Sequence, residues 1–182
     1  NGAPSYLRTH PITYERIADI QNRTREMPYR QVPDSLDFLL VRAKLRALQG
    51  NARDTARQFK ARLVEKRYGN EAVERYGYIH ALLRAKKYKQ ADAELTLLYQ
   101  VLHNDPTVPA LTNHQLGKTV RIESRNVIAG AMIETLSARV KLANGATAEA
   151  FSAYKAALKI YPQCRALIHG YAAISQRGNQ IV

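Results

Sequence analysis

Residues 138 to 162 read ARVKLANGATAEAFSAYKAALKIYP, and this stretch decides the fold. A helical pattern runs into Ala143-Asn144-Gly145, which breaks it, and a second pattern continues from Thr147 to Tyr161 until Pro162 stops it. Ala138 offers a small side chain on the first helix, while Ala150, Tyr154 and Ala157 follow on the second at spacings of four and three. Pro162 comes twelve residues after Ala150. Each residue type has a physical task. Alanine lets two helix backbones approach closely, the aromatic ring fills the gap toward the next element, and proline cannot continue a helix. The stretch predicts a helical hairpin with a face left for another hairpin to cover.

Working outward, the same alternation of helix and short break recurs. A helix precedes the hairpin turn from Asn126 to Leu142, and a last one spans Arg165 to about Gln176. Nearer the N-terminus, Pro33-Asp34-Ser35 opens a helix whose apolar residues Leu36, Leu39, Leu40, Ala43 and Ala47 share one face. Gly50-Asn51 ends it and starts a stripe of Ala52, Ala56, Phe59 and Leu63 that reaches about Arg67, so these two helices are expected to pair antiparallel. After Tyr68-Gly69-Asn70, a segment from Glu71 to Ala85 carries Tyr76, Tyr78, Ile79, Ala81, Leu82 and Leu83. Lys86-Lys87-Tyr88-Lys89 then turns the chain into Gln90 to Leu102, with Ala91, Leu95, Leu98 and Leu102 in register. Before all of these, Thr13 is read as the N-cap of a helix that carries Ile17 and Ile20, runs to Met27 and ends at Pro28. From about 104 to 124 the periodicity is lost at Asn104-Asp105-Pro106, Pro109, Thr112-Asn113 and Gly117. Val120 and Ile122 alternate too briefly to make a sheet.

Helices in pairs with turns of two to four residues suggest a repeat, and the order small, aromatic, small, proline resembles the tetratricopeptide (TPR) pattern. A second copy begins at Lys87-Tyr88, with Ala91 and Leu95 in matching places and Pro106 three residues late. The first pair, Leu36 to Arg67, is more degenerate, and no copy has tryptophan at its first consensus position. The expected fold is all-α, a TPR-like α-solenoid of antiparallel helix pairs over residues 33–182 with an irregular insertion near 104–124.

Composition bounds the function. With 182 residues the chain can bury a core, and 28 Lys plus Arg against 15 Asp plus Glu leave a net charge of +13. The cations are spread along several helices, as in Arg42, Lys44, Arg46, Arg53, Arg57, Lys60, Arg62, Lys66 and Arg67, which reads as a solvated basic face. The alternative is a surface for nucleic acid or anionic membrane that draws on Lys86, Lys87, Lys89, Lys118, Arg121 and Arg125. Cys164 is the only cysteine, so it forms no intramolecular disulfide and reads as a small buried apolar residue. No apolar run approaches the roughly 18 to 20 residues of a membrane span, and no signal-peptide core follows Asn1. The absence of an initiator methionine makes the chain read as part of a longer protein.

Catalytic motifs are sparse. None of His10, His80, His103, His114 and His169 is followed by glutamate, so the His-Glu-x-x-His helix of a zinc peptidase is missing. Gly117-Lys118-Thr119 imitates the end of a phosphate-binding loop, but Thr112 stands where the required glycine would be.

The segment Leu7-Arg8-Thr9-His10-Pro11-Ile12-Thr13-Tyr14-Glu15-Arg16-Ile17 is the exception. With Ala18-Asp19 and Asn22-Arg23 after it, it resembles the junction where the peptidase domain of zinc metalloproteases of the beta-barrel assembly-enhancing type ends and a TPR array begins. The resemblance implies that residues 1–32 are the tail of a peptidase domain and a linker, and that His10 and Arg16 border the active site of a parent enzyme. In that parent His10 would be a zinc ligand or a stabiliser of the transition state, since an imidazole can do either and a guanidinium such as Arg16 can stabilise an oxyanion. The cofactor so implied is zinc in the parent and none in this chain. It also implies a bacterial, periplasmic protein working at the outer membrane.

The function expected of this chain is therefore recognition rather than catalysis. First helices of a TPR array line a concave face, which gives Arg42, Arg46, Tyr76, His80 and Arg84 as candidate groove residues. Expected partners are proteins or unfolded polypeptide segments, including the parent's own peptidase domain or an outer-membrane assembly complex; nucleic acid is disfavoured and anionic membrane is kept as an alternative.

Overall fold

The computed structural model describes residues 13–25, 34–104 and 127–179, with the side chains of 13, 15 and 177–179 left aside. The described residues form helices α1 Thr13–Thr24, α2 Leu36–Leu48, α3 Ala52–Val64, α4 Glu71–Arg84, α5 Tyr88–Asn104, α6 Val127–Ala143, α7 Thr147–Ile160 and α8 Arg165–Asn179. Among them there is no strand, and the fold is all-α. No helix of the described residues is long and apolar enough to cross a membrane. The chain divides into two compact units, Asn1–Pro33 and Asp34–Val182. Expectations about Met27, Pro28 and the 104–124 insertion fall on residues outside those described, apart from Asn104, which closes α5.

The first unit contributes α1. Its Tyr14, Ile17 and Ile20 are all exposed, and Arg23 pairs with Asp19 across one turn at 3.1 Å. Thr13 is the first residue inside the helix rather than a cap outside it.

In the second unit the caps explain where helices begin. Ser35 Oγ accepts a hydrogen bond from the Phe38 amide at 3.2 Å, and Asn51 Oδ1 accepts one from Arg53 at 2.9 Å. Asn70 Oδ1 accepts from Val73 at 3.0 Å. Each side chain satisfies amide donors that the first turn leaves without a partner. The C-terminal ends of α3, α4 and α6 share one closure. Lys66, Lys86 and Gly145 adopt positive φ of 53°, 58° and 84°. The amides that follow them reach back to Arg62, Leu82 and Lys141 at 2.9, 2.9 and 3.0 Å. This is the Schellman arrangement, in which the left-handed residue lets the last carbonyls find donors.

Helix α4 is the centre of the larger core. Ala72, Glu74 and every residue from Tyr76 to Leu82 are buried, so the helix is covered on nearly all sides. Helices α2, α3 and α5 all pack on it. Helices α2 and α3 touch each other only lightly and lie chiefly against α4, toward which both turn apolar residues. The pairs α4/α5 and α6/α7 do pack as hairpins. A second cluster joins α6, α7 and α8 through Ala138, Ala150, Tyr154, Ala157, Tyr161, Leu167 and Ile174.

One packing device occurs twice. A Cβ on Gly77 of α4 would lie 2.5 Å from the Phe59 ring of α3, and one on Gly170 of α8 would lie 2.4 Å from the Tyr154 ring of α7. In each case the aromatic of one helix sits over a glycine of the helix that follows it, which allows close approach. The recurrence is a structural regularity between the degenerate first pair and the C-terminal hairpin.

Candidate functional site

Charged groups around α4 fall into two kinds, those that hold the helices together and those left facing space. Glu74 is buried between Arg62 at 2.9 Å and Arg46 at 3.7 Å, although Arg62 Nε and Glu74 Oε1 are not aligned as a hydrogen bond. Burial raises the Glu74 carboxyl above its ordinary range, with the two arginines acting against that. Arg75 bridges Glu71 on its own helix and Glu94 on α5, both at 2.7 Å. Arg84 donates to the carbonyls of Ala47, Gln49 and Gly50 at 2.6, 3.2 and 3.0 Å, and so closes the C-terminal end of α2.

A different arrangement lies where α2, α4, α6 and the start of α8 converge. A cavity of about 270 Å³ opens there. Lys44 of α2 lines it, with Tyr76 and His80 of α4 and Gln163, Cys164 and Ala166 from the turn into α8. Helix α6 supplies the apolar wall through Val127, Ile128, Ala131, Met132 and Leu136, with Thr135 and Arg139 beside it. Val127 and Ile128 remain 43% and 60% exposed, so the apolar surface continues outward. Tyr76 meets His80 edge to face at 4.8 Å between ring centres.

His80 is 5% exposed, and its Nε2 is buried with no hydrogen-bond partner among the described residues. Burial, then Arg139, then Lys44 lower its pKa to about 3, so the imidazole is neutral at physiological pH. Burial raises the Tyr76 hydroxyl in the opposite sense. Where α6 meets α5, burial pushes Glu134 up to about 7 while Lys141 and a hydrogen bond with Tyr99 hold it down.

Of the five candidate groove residues, two line the cavity and three do not. Tyr76 and His80 do so although both are buried. Arg42 lies 3.5 Å from Asp34 and over the Phe38 ring, while Arg46 is engaged with Glu74 and the Phe59 ring. Arg84 is a structural clamp. Arg42, Arg46 and Arg84 therefore lie outside the lining of this cavity, each with partners elsewhere: Asp34 for Arg42, Glu74 for Arg46 and the carbonyls after α2 for Arg84. Sequence reasoning passed over Lys44 and Arg139, and the α6 wall. The available signal was the run Val127 to Met132 just after an irregular stretch, a long apolar face for one neighbouring helix to cover. Cys164 is half-buried at the cavity rather than enclosed in the core.

Arg16 is exposed on α1, and His10 lies outside the described residues. Among the described residues no three His, Cys, Asp or Glu side chains gather into a set able to hold a metal ion. His114 and Gly117-Lys118-Thr119 also lie outside the described residues. No family model matches the chain. Neither does any curated protein or solved structure.

Proposed function

We propose that this chain is a protein-interaction module that takes a segment of another polypeptide into the cavity between α2, α4, α6 and α8. The observation that carries the reading is the cavity wall. Apolar α6 residues, two of them exposed at the mouth, stand opposite a neutral imidazole and a tyrosine from α4. Apolar surface ringed by a few polar groups favours partner binding. The paired helices and the recurrent aromatic-over-glycine contact support a TPR-like array, whose first helices would supply this concavity. On the same reading the array recruits or positions substrates for a periplasmic zinc metalloprotease. That part rests on Thr9-His10-Pro11 and Arg16-Ile17, and a His-Glu-x-x-His sequence upstream in the parent reading frame tests it.

The direct test is fluorescence anisotropy with a panel of labelled extended peptides and with single-stranded oligonucleotide, comparing the wild type with Ile128→Asp and Met132→Gln. Peptide binding that both substitutions weaken supports the groove. Binding of oligonucleotide alone, with a steep salt dependence and no effect of either substitution, would overturn it in favour of a polyanion surface.

A further inference from the structure

The cations of the second unit are not used alike. Arg42, Arg46, Arg62 and Arg75 each face a carboxylate at 2.7 to 3.7 Å. Lys44 and Arg139 line the cavity from α2 and α6, and neither has a carboxylate within ion-pair distance among the described residues. Both are close enough to His80 to act on it electrostatically. Two like charges beside an apolar wall repel each other, and field lines concentrate where water is partly excluded. An anion placed between them would relieve that repulsion.

We propose, resting on the groove reading above, that the occupant is an acidic-apolar polypeptide segment: an apolar side chain enters the cavity while a neighbouring carboxylate lies between Lys44 and Arg139. Three observations support the choice. The apolar wall of Ile128, Met132 and Leu136 suits an aliphatic or aromatic anchor and gives no counter-charge. The volume, about 270 Å³, leaves room for an anchoring side chain. His80 lines the same cavity and is neutral at physiological pH, so it adds no charge of its own. The positive charge at the site therefore comes from the Lys44 and Arg139 side chains that line it.

The test uses the full chain and three fluorescein-labelled dodecapeptides of otherwise neutral sequence. One carries Leu-Glu-Leu in its middle with blocked ends, one carries Leu-Gln-Leu, and one carries Leu-Gln-Leu with a free C-terminal leucine carboxylate. The glutamate peptide is expected to bind about 10-fold tighter than its glutamine isostere, the scale of a partly desolvated charge contact. The Lys44→Met/Arg139→Met variant should lose that preference while it still binds the glutamine peptide. A charge-matched control, Arg53→Met/Lys60→Met on the exposed face of α3, should keep it. Equal binding of both blocked peptides would overturn the carboxylate proposal and leave the groove reading intact. Loss of preference in the control as well would also overturn it, since diffuse charge would then be the cause. Preference confined to the free C-terminus would overturn an internal acidic segment. Failure of every peptide to bind would remove the groove reading itself.

Discussion

Gly77→Ala is the sharpest test of how α4 is seated. In an exposed helix, exchanging glycine for alanine stabilises by about 1 kcal/mol, because the unfolded chain loses freedom and helix propensity rises. Here the added methyl would stand 2.5 and 2.7 Å from Cε1 and Cζ of Phe59 and 3.3 Å from the Ala43 Cβ. The Phe59 ring is 1% exposed and carries the Arg46 guanidinium 4.9 Å from its centre, so it has little room to retreat. Overpacking of this kind costs about 1 to 3 kcal/mol, and the short distances place the substitution at the upper end. The expected net change is therefore a destabilisation of about 1 to 2 kcal/mol. Urea unfolding followed by far-ultraviolet circular dichroism measures it as a fall in midpoint at constant slope. Phe59→Leu in the Gly77→Ala background should recover most of that loss, since it removes the ring atoms in the way. A Gly77→Ala protein more stable than the wild type, or strict additivity of the two changes, would refute the close-approach argument.

Other consequences follow from local geometry. Lys86→Gly should raise stability by about 1 kcal/mol, because Lys86 holds φ of 58° at the end of α4 where glycine has no side-chain penalty; thermal melting reads it as a higher midpoint. Arg84→Met should lower stability by about 1 to 2 kcal/mol in the same urea assay, since the Ala47, Gln49 and Gly50 carbonyls lose their shared donor. Glu134, raised to about 7 from 4.5, stabilises the fold fully below pH 4.5 and loses that contribution as pH rises to 7. The stability of the wild type relative to Glu134→Gln should thus fall by about 1 to 3 kcal/mol across that window, measured by urea titration at a series of pH values. His80 has the opposite sign. Its pKa falls from 6.5 to about 3, so its contribution is present above pH 6.5 and is lost as pH drops toward 3, and His80→Gln should flatten the acid limb of the stability profile.

Much of the helix layout was legible because its signals are local. Ser35, Asn51 and Asn70 precede helices whose first amides need acceptors, and Gly50 and Gly145 stand where the backbone turns left-handed. The spacing of Ala150, Tyr154 and Ala157 placed all three in the core, where they lie at 0 to 2% exposure. The candidate site was less legible for a physical reason. A cation's role depends on which carboxylate or carbonyl meets it across helices. Arg84 finds carbonyls more than thirty residues away, and Arg46 and Arg62 share Glu74 from different helices. Arg42, Arg46 and Arg84 carry the same side chain as Arg139, yet only Arg139 reaches the cavity.

By itself the sequence determined an all-helical chain, the position of its breaks and the apolar stripe of each helix, since these depend on backbone sterics, caps and a period of 3.6 residues. Tertiary structure alone decided that α2 rests more on α4 than on α3, and that Gly77 and Gly170 receive aromatic rings. It also decided that Lys44, His80 and Arg139 come from three helices to one cavity. Those outcomes are set by which stripes meet and at what angle, a competition among packings that no local pattern contains.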